Sequence, residues 1–284
     1  MKVLVTGVKG QLGYDVVNEL NKRGHEAIGV DIEDMDVTVC ASVERVMQKV
    51  NPQAVIHCAA WTAVDAAEDN EEKVRLVNAI GTENIARECK KLGSKMMYIS
   101  TDYVFDGQGE KPWDADCKDF KPLNVYGRTK LEGEQAVFKT LENFFIVRIA
   151  WVFGKNGKNF IKTMLNVGKT HDTVKVVCDQ IGTPTYTFDL ARLLVDMIET
   201  DKYGYYHATN EGGYISWYDF TREIFKQAGY KTKVIPVTTE EYGLSKAKRP
   251  FNSRLDKSKL AANGFKPLPT WQDALARYLT EIEY

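Results

Sequence analysis

Residues 2–13 read KVLVTGVKGQLG, a short apolar run that passes directly into a loop with three glycines. Such a run has the length of a buried strand, and the amphipathic stretch QLGYDVVNELNKRG has the period of a helix. Gly7, Gly10 and Gly13 are spaced evenly across this strand-to-helix turn. A pyrophosphate can approach the bare backbone there and lie at the positive end of the helix. The stretch therefore predicts a dinucleotide-binding unit.

The pattern of this first unit repeats through the first half of the chain. The apolar runs EAIGV, AVIHCA and KMMYIS alternate with amphipathic helical stretches, which implies right-handed crossovers and a parallel sheet covered on both faces. Later the alternation loosens, and TYTFDLARLLVDMIET and KVIPVTTEEYG predict helices and strands of a smaller lobe. We expect a Rossmann-like doubly wound α/β fold, with a dinucleotide-binding domain over 1–150, to which some later segments return, and a smaller α/β lobe over 151–284.

The composition is that of an ordinary globular protein. A formal charge of −1 over 284 residues gives no attraction to nucleic acid or to an anionic membrane. The five cysteines are scattered and never form C-x-x-C, which argues against a disulfide framework or a zinc site. No histidines pair at metal-ligand spacing, and no apolar run approaches the roughly 20 residues of a membrane span. MKVLVTG enters a strand pattern at once, so we expect no signal peptide and a cytoplasmic location.

The second predicted strand ends at Asp31, where an acidic side chain would accept hydrogen bonds from an adenosine ribose. The residues that follow, IEDM, offer no arginine for a 2′-phosphate and add two negative charges. Lys9 in the glycine loop partly compensates for this charge. We therefore expect NADH to be the preferred cofactor, with NADPH as an alternative.

The fourth predicted strand, KMMYIS, ends in STDYVFDG. Open α/β sheets bind their ligands at the carboxyl ends of the strands, so Ser100, Thr101 and Asp102 are expected to point into a cleft. About 25 residues later comes a helical stretch that begins with YGRTK, in which Tyr126 and Lys130 are four residues apart.

The Tyr126–Lys130 spacing alone is not specific, because YGLSK repeats it at Tyr242 and Lys246. That second pair lies beyond the cofactor-binding half and is interpreted as solvated. A cation near a tyrosine favours the phenolate. One charge about 5 Å away at an effective dielectric near 20 is worth about 3 kcal/mol, or roughly two pKa units. Lys130 is therefore expected to make Tyr126 a usable acid.

The glycine loop, the STD segment and the YxxxK helix, in this order, resemble the extended short-chain dehydrogenase/reductase family. The strings STDYVFDG, PLNVYGRTKLEGE, RIAWVFG, KNF, DQIGTPT and RPFNSRLD are similar to those of its members that reduce a nucleotide-linked 4-keto sugar. The resemblance implies NAD(P)H-dependent reduction of dTDP-4-dehydro-6-deoxy-L-mannose to dTDP-L-rhamnose. Tyr126 would donate a proton to the carbonyl oxygen, and Thr101 would hydrogen-bond that oxygen. Lys130 would tune the pKa of Tyr126 and bind the nicotinamide ribose.

The resemblance also implies further site residues. Those expected to bind the cofactor are Gly7, Gly10, Gln11, Leu12, Asp31, Asp36, Val37, Cys58, Ala59, Ala60, Thr62, Asn78, Ser100, Tyr126 and Lys130. Those expected to bind the nucleotide-sugar substrate are Thr62, Val64, Thr101, Asp102, Trp151, Asn159, Gln180 and Arg249.

Several of these assignments have alternatives. Asp36 and Asn78 are equally consistent with ordinary cap or surface residues, and Trp151 with a core residue at a strand end. Arg249, expected at the nucleotide diphosphate, has Lys248 and Arg254 as near alternatives. Cys58 is rejected as a nucleophile, since His57, its only neighbouring base, should point to the other side of the strand.

Two other functions compete with the reductase. A nucleotide-sugar dehydratase or epimerase is one, although dehydratases need an acid after the STD aspartate, and Tyr103 occupies that place. A non-catalytic regulatory subunit of the methionine adenosyltransferase type is the other, against which the intact Thr101, Tyr126 and Lys130 argue. Some relatives carry Mg²⁺ between subunits. The first helix here offers Asp15 and Glu19, so Mg²⁺ and a homodimer both remain open.

Overall fold

A six-stranded parallel sheet forms the centre of the computed structural model, which describes residues 1–284. Its strands lie in the order β10-β5-β4-β3-β1-β2, and every neighbouring pair is parallel. The order reverses between β1 and β3, which is where open α/β sheets form a ligand crevice. The strands of the whole chain are β1 (Lys2–Thr6), β2 (Glu26–Val30), β3 (Ala54–His57), β4 (Lys95–Thr101), β5 (Phe144–Ile149), β6 (Val152–Phe153), β7 (Thr173–Val177), β8 (Ile181–Gly182), β9 (Thr185–Tyr186), β10 (Gly204–His207), β11 (Ile215–Ser216) and β12 (Lys233–Val237).

The helices cover both faces of this sheet and build most of the second lobe. They are α1 (Gln11–Lys22), α2 (Cys40–Val50), α3 (Val64–Ala67), α4 (Glu71–Arg75), α5 (Gly81–Leu92), α6 (Val125–Thr140), α7 (Phe160–Thr170), α8 (Thr187–Ile198), α9 (Trp217–Ala228), α10 (Thr239–Tyr242), α11 (Ser258–Ala262) and α12 (Trp271–Glu281). A π-helical turn (Leu76–Ile80) joins α4 to α5, and a 3₁₀ turn (Asp102–Val104) follows β4. None of these helices has the length and apolar character of a membrane span.

Alternate side chains of each central strand enter different cores. In β1, Val3 and Val5 pack with α1 and α8 on one face, whereas Leu4 packs with α2 and α5 on the other. Strands that are buried on both faces explain why KVLVT and AVIH read as continuous apolar runs. The expected Rossmann-like doubly wound sheet is confirmed.

A third apolar cluster forms the smaller lobe. It contains Phe153 after β5, Leu165 of α7, Phe220 of α9, and Trp271 and Tyr278 of α12. The two-stranded parallel pair β7–β12 belongs to this lobe. The lobe lies beyond the carboxyl ends of the large sheet, because the chain enters it directly from β5.

One segment was placed in the wrong lobe from sequence. TYTFDLARLLVDMIET was expected to belong to the smaller lobe, but its helix α8 packs against α1 and contributes Leu190, Leu193 and Leu194 to the core of the large sheet. The next strand, β10, then extends the sheet beside β5. The physical reason is that α1 presents an apolar stripe, Leu12, Val16 and Leu20, which needs a helix partner beside the sheet.

Candidate active site

A cleft of about 950 Å³ opens at the carboxyl ends of the central strands. One wall is the glycine loop and the ends of β2, β3 and β4, and the other is formed by Trp151, which follows β5, together with Phe160 and Trp217 of the smaller lobe. Most of the site residues predicted from the sequence line this cleft: Gly7, Gly10, Gln11, Leu12, Asp31, Asp36, Val37, Cys58, Ala59, Ala60, Thr62, Val64, Ser100, Thr101, Asp102, Tyr126, Lys130, Trp151 and Arg249.

The glycine loop closes tightly on its neighbours. Gly7 has φ +69°, and a Cβ there would lie 2.8 Å from the Ala59 backbone. A Cβ on Gly13 would lie 2.4 Å from the Gly7 carbonyl oxygen. Gly10 precedes α1 without any side-chain cap. The first amides of α1 are therefore open to an anion, as a pyrophosphate requires.

The far end of the cleft carries the acidic group after β2. The Asp31 carboxylate accepts hydrogen bonds from the backbone amides of Lys9 (2.9 Å) and Ile32 (2.9 Å). The Lys9 ammonium instead lies 2.7 Å from the Glu33 carboxylate, and both side chains are exposed. The charge of Lys9 is therefore balanced by Glu33 and does not offset the charge of Asp31. Asp36 Oδ1 accepts from the amide and hydroxyl of Thr38, so Asp36 also stabilises the turn that precedes α2.

The STD segment brings polar side chains to the end of β4. The Thr101 hydroxyl donates to Asp102 Oδ1 (3.1 Å) and accepts from the Tyr103 amide (3.2 Å). Burial raises the pKa of Asp102 to about 6, and the hydrogen bond from the Thr101 hydroxyl partly opposes this. Ser100 Oγ and Asp102 Oδ2 are buried without a hydrogen-bond partner. Such atoms are costly in a folded protein, and their place in the cleft fits a polar ligand.

Lys130 lies one helical turn beyond Tyr126 on α6. It is 2% exposed, and its Nζ donates to the Ile99 carbonyl (2.7 Å) while lying 4.0 Å above the Tyr98 ring. Burial lowers the pKa of Lys130 to about 7.

Burial raises the pKa of Tyr126, and the nearby Thr101 side chain opposes this only in part. Tyr126 is half-buried and lines the cleft, and the expected tuning of its pKa by Lys130 stays a prediction. The ammonium of Lys130 is directed to a carbonyl and a ring, and the loss of water around the phenol dominates.

The segment after β3 shows why Cys58 is not a nucleophile. His57 Nδ1 lies 2.7 Å from the Thr6 hydroxyl, and its ring stacks on Tyr98. Burial raises the pKa of the Cys58 thiol to about 12. Cys58 therefore lines the cleft as a small apolar surface.

Two tryptophans form the substrate-side wall. Trp151 has φ +51°, and its ring stacks on that of Trp217 with the centroids 3.6 Å apart. Phe160 lies beside Trp217 at 4.5 Å. Trp217 and Phe160 were not predicted. The available signal was an aromatic side chain directly after an N-cap, Ser216 for one and Asn159 for the other, but it gives no direction in space.

Arg249 is the basic residue at this end. Its guanidinium contacts Asp65 (2.6 Å) and the Tyr103 hydroxyl (3.4 Å). The two alternatives lie outside the cleft lining. The Lys248 carbonyl accepts from Asn124, and the Arg254 side chain contacts Asn252.

Three expected site residues do not line the cleft. Asn78, in the π-helical turn, accepts from the Trp61 amide (2.8 Å) and donates to Thr129 (3.2 Å), so it fixes the segment after β3. Asn159 caps α7 and donates to Gln11 and to the Gly154 carbonyl. Gln180 donates to Thr239 (3.0 Å). Their amides are used within the protein, and the binding roles expected for them stay predictions.

The acidic side chains of α1 also have hydrogen-bond partners within the protein. Asp15 accepts from the Thr187 hydroxyl (2.5 Å), and Glu19 accepts from Arg23 (2.7 Å). No group of three or more His, Cys, Asp or Glu side chains is placed to hold a metal ion.

Comparison with known proteins gives matches over the whole chain. The family model described as RmlD substrate binding domain matches residues 1–284. A spore coat polysaccharide biosynthesis protein, SpsK, of Bacillus subtilis is 39% identical, with 99% of this chain and 97% of the relative aligned. A dTDP-4-dehydrorhamnose reductase of Streptomyces griseus is 38% identical over 96% of this chain and 91% of its own length. A dTDP-4-keto-6-deoxy-D-glucose reductase of Streptomyces niveus is 36% identical, with coverages of 96% and 95%.

Two solved structures are similar throughout. A dTDP-4-dehydrorhamnose reductase of Clostridium acetobutylicum superposes with a TM-score of 0.95 at 42% identity, covering 99% of each chain. The same enzyme of Bacillus anthracis, in complex with NADP, superposes with a TM-score of 0.95 at 41% identity, covering 99% of this chain and 100% of that one.

Proposed function

This chain belongs to the RmlD substrate binding domain family, and we propose on that premise that it is a nicotinamide-dependent reductase of dTDP-4-dehydrorhamnose. Its product is dTDP-L-rhamnose, a sugar donor for polysaccharides. The observation that carries the proposal is the meeting of Thr101, Tyr126 and Lys130 in one cleft with an open glycine loop. Relatives named for this reaction match over nearly their whole length.

Each of these residues has its own role in the proposed reaction. A reduced nicotinamide, when bound, supplies the hydride that adds to C4 of the sugar. Tyr126 donates its phenolic proton to the oxygen of the former ketone, and Thr101 hydrogen-bonds the same oxygen. Lys130 binds the nicotinamide ribose and supplies positive charge beside the phenol as the proton leaves. The loss of a proton from a phenol with a raised pKa makes this charge necessary.

Preference for NADH is part of the proposal. The Asp31 carboxylate is placed for an adenosine ribose at the end of β2, and Glu33 neutralises the one nearby ammonium, that of Lys9. A 2′-phosphate at this end meets net negative charge. The relative from Bacillus anthracis is in complex with NADP, so we propose a preference of degree and not an exclusive use of NADH.

The nucleotide sugar is assigned to the end of the cleft between the lobes. The broad apolar face of the Trp151 and Trp217 stack suits a sugar ring. Thr62 and Val64, which follow β3, also line the cleft. Arg249 presents a planar donor suited to a diphosphate. Binding of the diphosphate would replace the contact of Arg249 with Asp65.

A location in the cytoplasm fits the thiol chemistry. All five cysteines are free, as in proteins of reducing compartments.

A second candidate function comes from the relative of Streptomyces niveus, which is named for a D-configured substrate. The two reactions use the same chemistry at C4 and differ only in the configuration of the sugar at C3 and C5.

The test is the loss of NADH absorbance when the purified protein meets dTDP-4-keto-6-deoxyglucose, with and without the 3,5-epimerase that forms the L-sugar. We expect oxidation that depends on the epimerase. Oxidation of equal rate without it supports the D-sugar reductase instead. No oxidation in either arm, from protein that binds NADH, contradicts both candidates.

A further inference from the structure

The surroundings of Lys130 contain one charged pair that the reaction does not use. The titratable groups that face Lys130 are His57 and Cys58 after β3, Tyr98 of β4, and Glu134 on its own helix. Tyr126, one turn earlier on α6, faces Asp102 and Tyr103 of the 3₁₀ turn. Glu134 is the only carboxylate among the groups that act on Lys130.

Glu134 follows Lys130 by four residues, so the two side chains are neighbours along one face of α6. Both Glu134 oxygens are bound by Arg148 of β5, at 2.8 Å to Nε and 2.7 Å to Nη2. Each partner is 1% exposed. This bidentate contact fixes the orientation of the carboxylate and balances its charge.

Arg148 is held from every other side. Its Nη1 donates to the Ala115 carbonyl (3.1 Å), and its guanidinium lies about 5 Å from the rings of Phe105, Phe120 and Tyr205. His207 lies 3.4 Å away. Burial, with the charge of Arg148, lowers the pKa of His207, so His207 stays neutral and Glu134 is the counter-charge of Arg148.

Stability alone is a poor reason for such a pair. Burying two charges costs several kcal/mol per ion, and apolar residues of the same volume usually stabilise a protein at least as well. The pair joins three parts of the site: the helix that carries Tyr126 and Lys130, the strand β5, and the loop that follows the STD segment. Its position behind the catalytic lysine therefore indicates a role in the reaction.

We propose that Glu134 and Arg148 are positioning residues, which together set the electrostatic environment of Lys130 and anchor α6 to the loop after Asp102. With both present, the charge behind Lys130 is balanced. With Glu134 neutral, the permanent charge of Arg148 is left uncompensated behind the lysine. This inference rests on the proposed role of Lys130 in binding the nicotinamide ribose.

The test uses Glu134→Gln, Arg148→Met and the double variant, with Lys130→Met as a reference. The dissociation constant of NADH is measured by fluorescence between pH 6 and pH 10, without sugar. In the native protein, binding weakens at alkaline pH as Lys130 loses its proton, and in Lys130→Met this dependence is absent. Because a like charge disfavours an ammonium, Glu134→Gln moves the midpoint down by about one pH unit. Arg148→Met leaves the Glu134 carboxylate unpaired and moves the midpoint to higher pH. In the double variant, the midpoint returns most of the way to that of the native protein.

Thermal unfolding of each variant separates this role from a purely structural one. Loss of stability without opposite shifts of the midpoint in the two single variants overturns the proposal. So does a double variant whose midpoint stays with that of Glu134→Gln. If Glu134→Gln does not fold, the upward shift in Arg148→Met decides the matter alone. NADH binding needs no sugar, so a failure of the proposed sugar substrate leaves this test intact.

Discussion

At the level of single residues, the proposed reaction depends on the phenol of Tyr126. Replacing Tyr126 with Phe removes the proton donor but leaves the ring in its pocket. We expect kcat to fall about 10²–10⁴-fold, the range of general acid catalysis, with an unchanged dissociation constant for NADH. The measurement is steady-state oxidation of NADH together with a binding titration.

The chain offers a matched control for this variant. Tyr242 stands four residues before Lys246, the same spacing, but it is exposed and lies outside the cleft. Tyr242→Phe should retain native turnover. Equal activity in the two variants would show that proton donation does not come from Tyr126.

The ion pair of Lys9 and Glu33 gives a second prediction at this scale. Glu33→Gln frees the Lys9 ammonium for a 2′-phosphate, so we expect the ratio of kcat/KM for NADPH to that for NADH to rise about three- to tenfold. Steady-state kinetics with both cofactors measure it. Glu44→Gln is the control, since Glu44 also pairs with an exposed lysine, Lys91, away from the cleft. A ratio that rises equally in both variants would argue against the pair as a determinant.

At the scale of elements, the start of α6 packs closely against the 3₁₀ turn of the STD segment. A Cβ on Gly127 would lie 2.2 Å from the Tyr103 carbonyl oxygen. Gly127→Ala must therefore move α6 away from Thr101, and displacements of about 1 Å can cost about 10²-fold in rate. We expect a loss of kcat of at least about tenfold by the same assay.

Gln135→Ala, on the exposed side of the same helix, controls for the change of side chain in α6 and should leave kcat unchanged. Native turnover in Gly127→Ala would show that the spacing between α6 and the STD segment does not matter for the reaction.

The elements also show how far the sequence could predict the structure. The apolar runs of β1, β3 and β4 and the glycine loop follow local rules, so they were predictable. The assignment of α8 failed because helix period does not say which sheet face a helix covers. The binding roles of Asn159 and Gln180 could not be decided from sequence, because an amide next to a cleft can bind a ligand or the protein itself. The surroundings that decide the pKa of Tyr126 are a property of the whole fold and cannot be read from the YGRTK spacing.

At the scale of the whole molecule, the cleft depends on two lobes that are remote in sequence. Trp151 follows β5, whereas Trp217 starts α9 of the smaller lobe, and their stack joins the two. We expect Trp217→Leu to raise KM for the nucleotide sugar about tenfold, since aromatic contacts contribute about 1 kcal/mol beyond burial. NADH binding should not change.

Tyr218→Leu is the comparison for Trp217→Leu, because Tyr218 follows it in α9 but does not line the cleft. A raised KM in both variants would indicate general disturbance of α9 instead of loss of a sugar contact. Partners such as Trp217 could not be found from sequence, since their meeting with Trp151 is set by the packing of the smaller lobe.

The most direct test of the central claim follows deuterium from NADH labelled at its transferable position into the sugar. The protein is mixed with the epimerised 4-keto sugar, and the nucleotide-sugar product is examined by NMR. We expect dTDP-L-rhamnose carrying deuterium at C4, and none from Tyr126→Phe on the same timescale. Deuterium at C4 of a D-configured sugar, or no label in any sugar while NADH stays bound, would contradict this expectation.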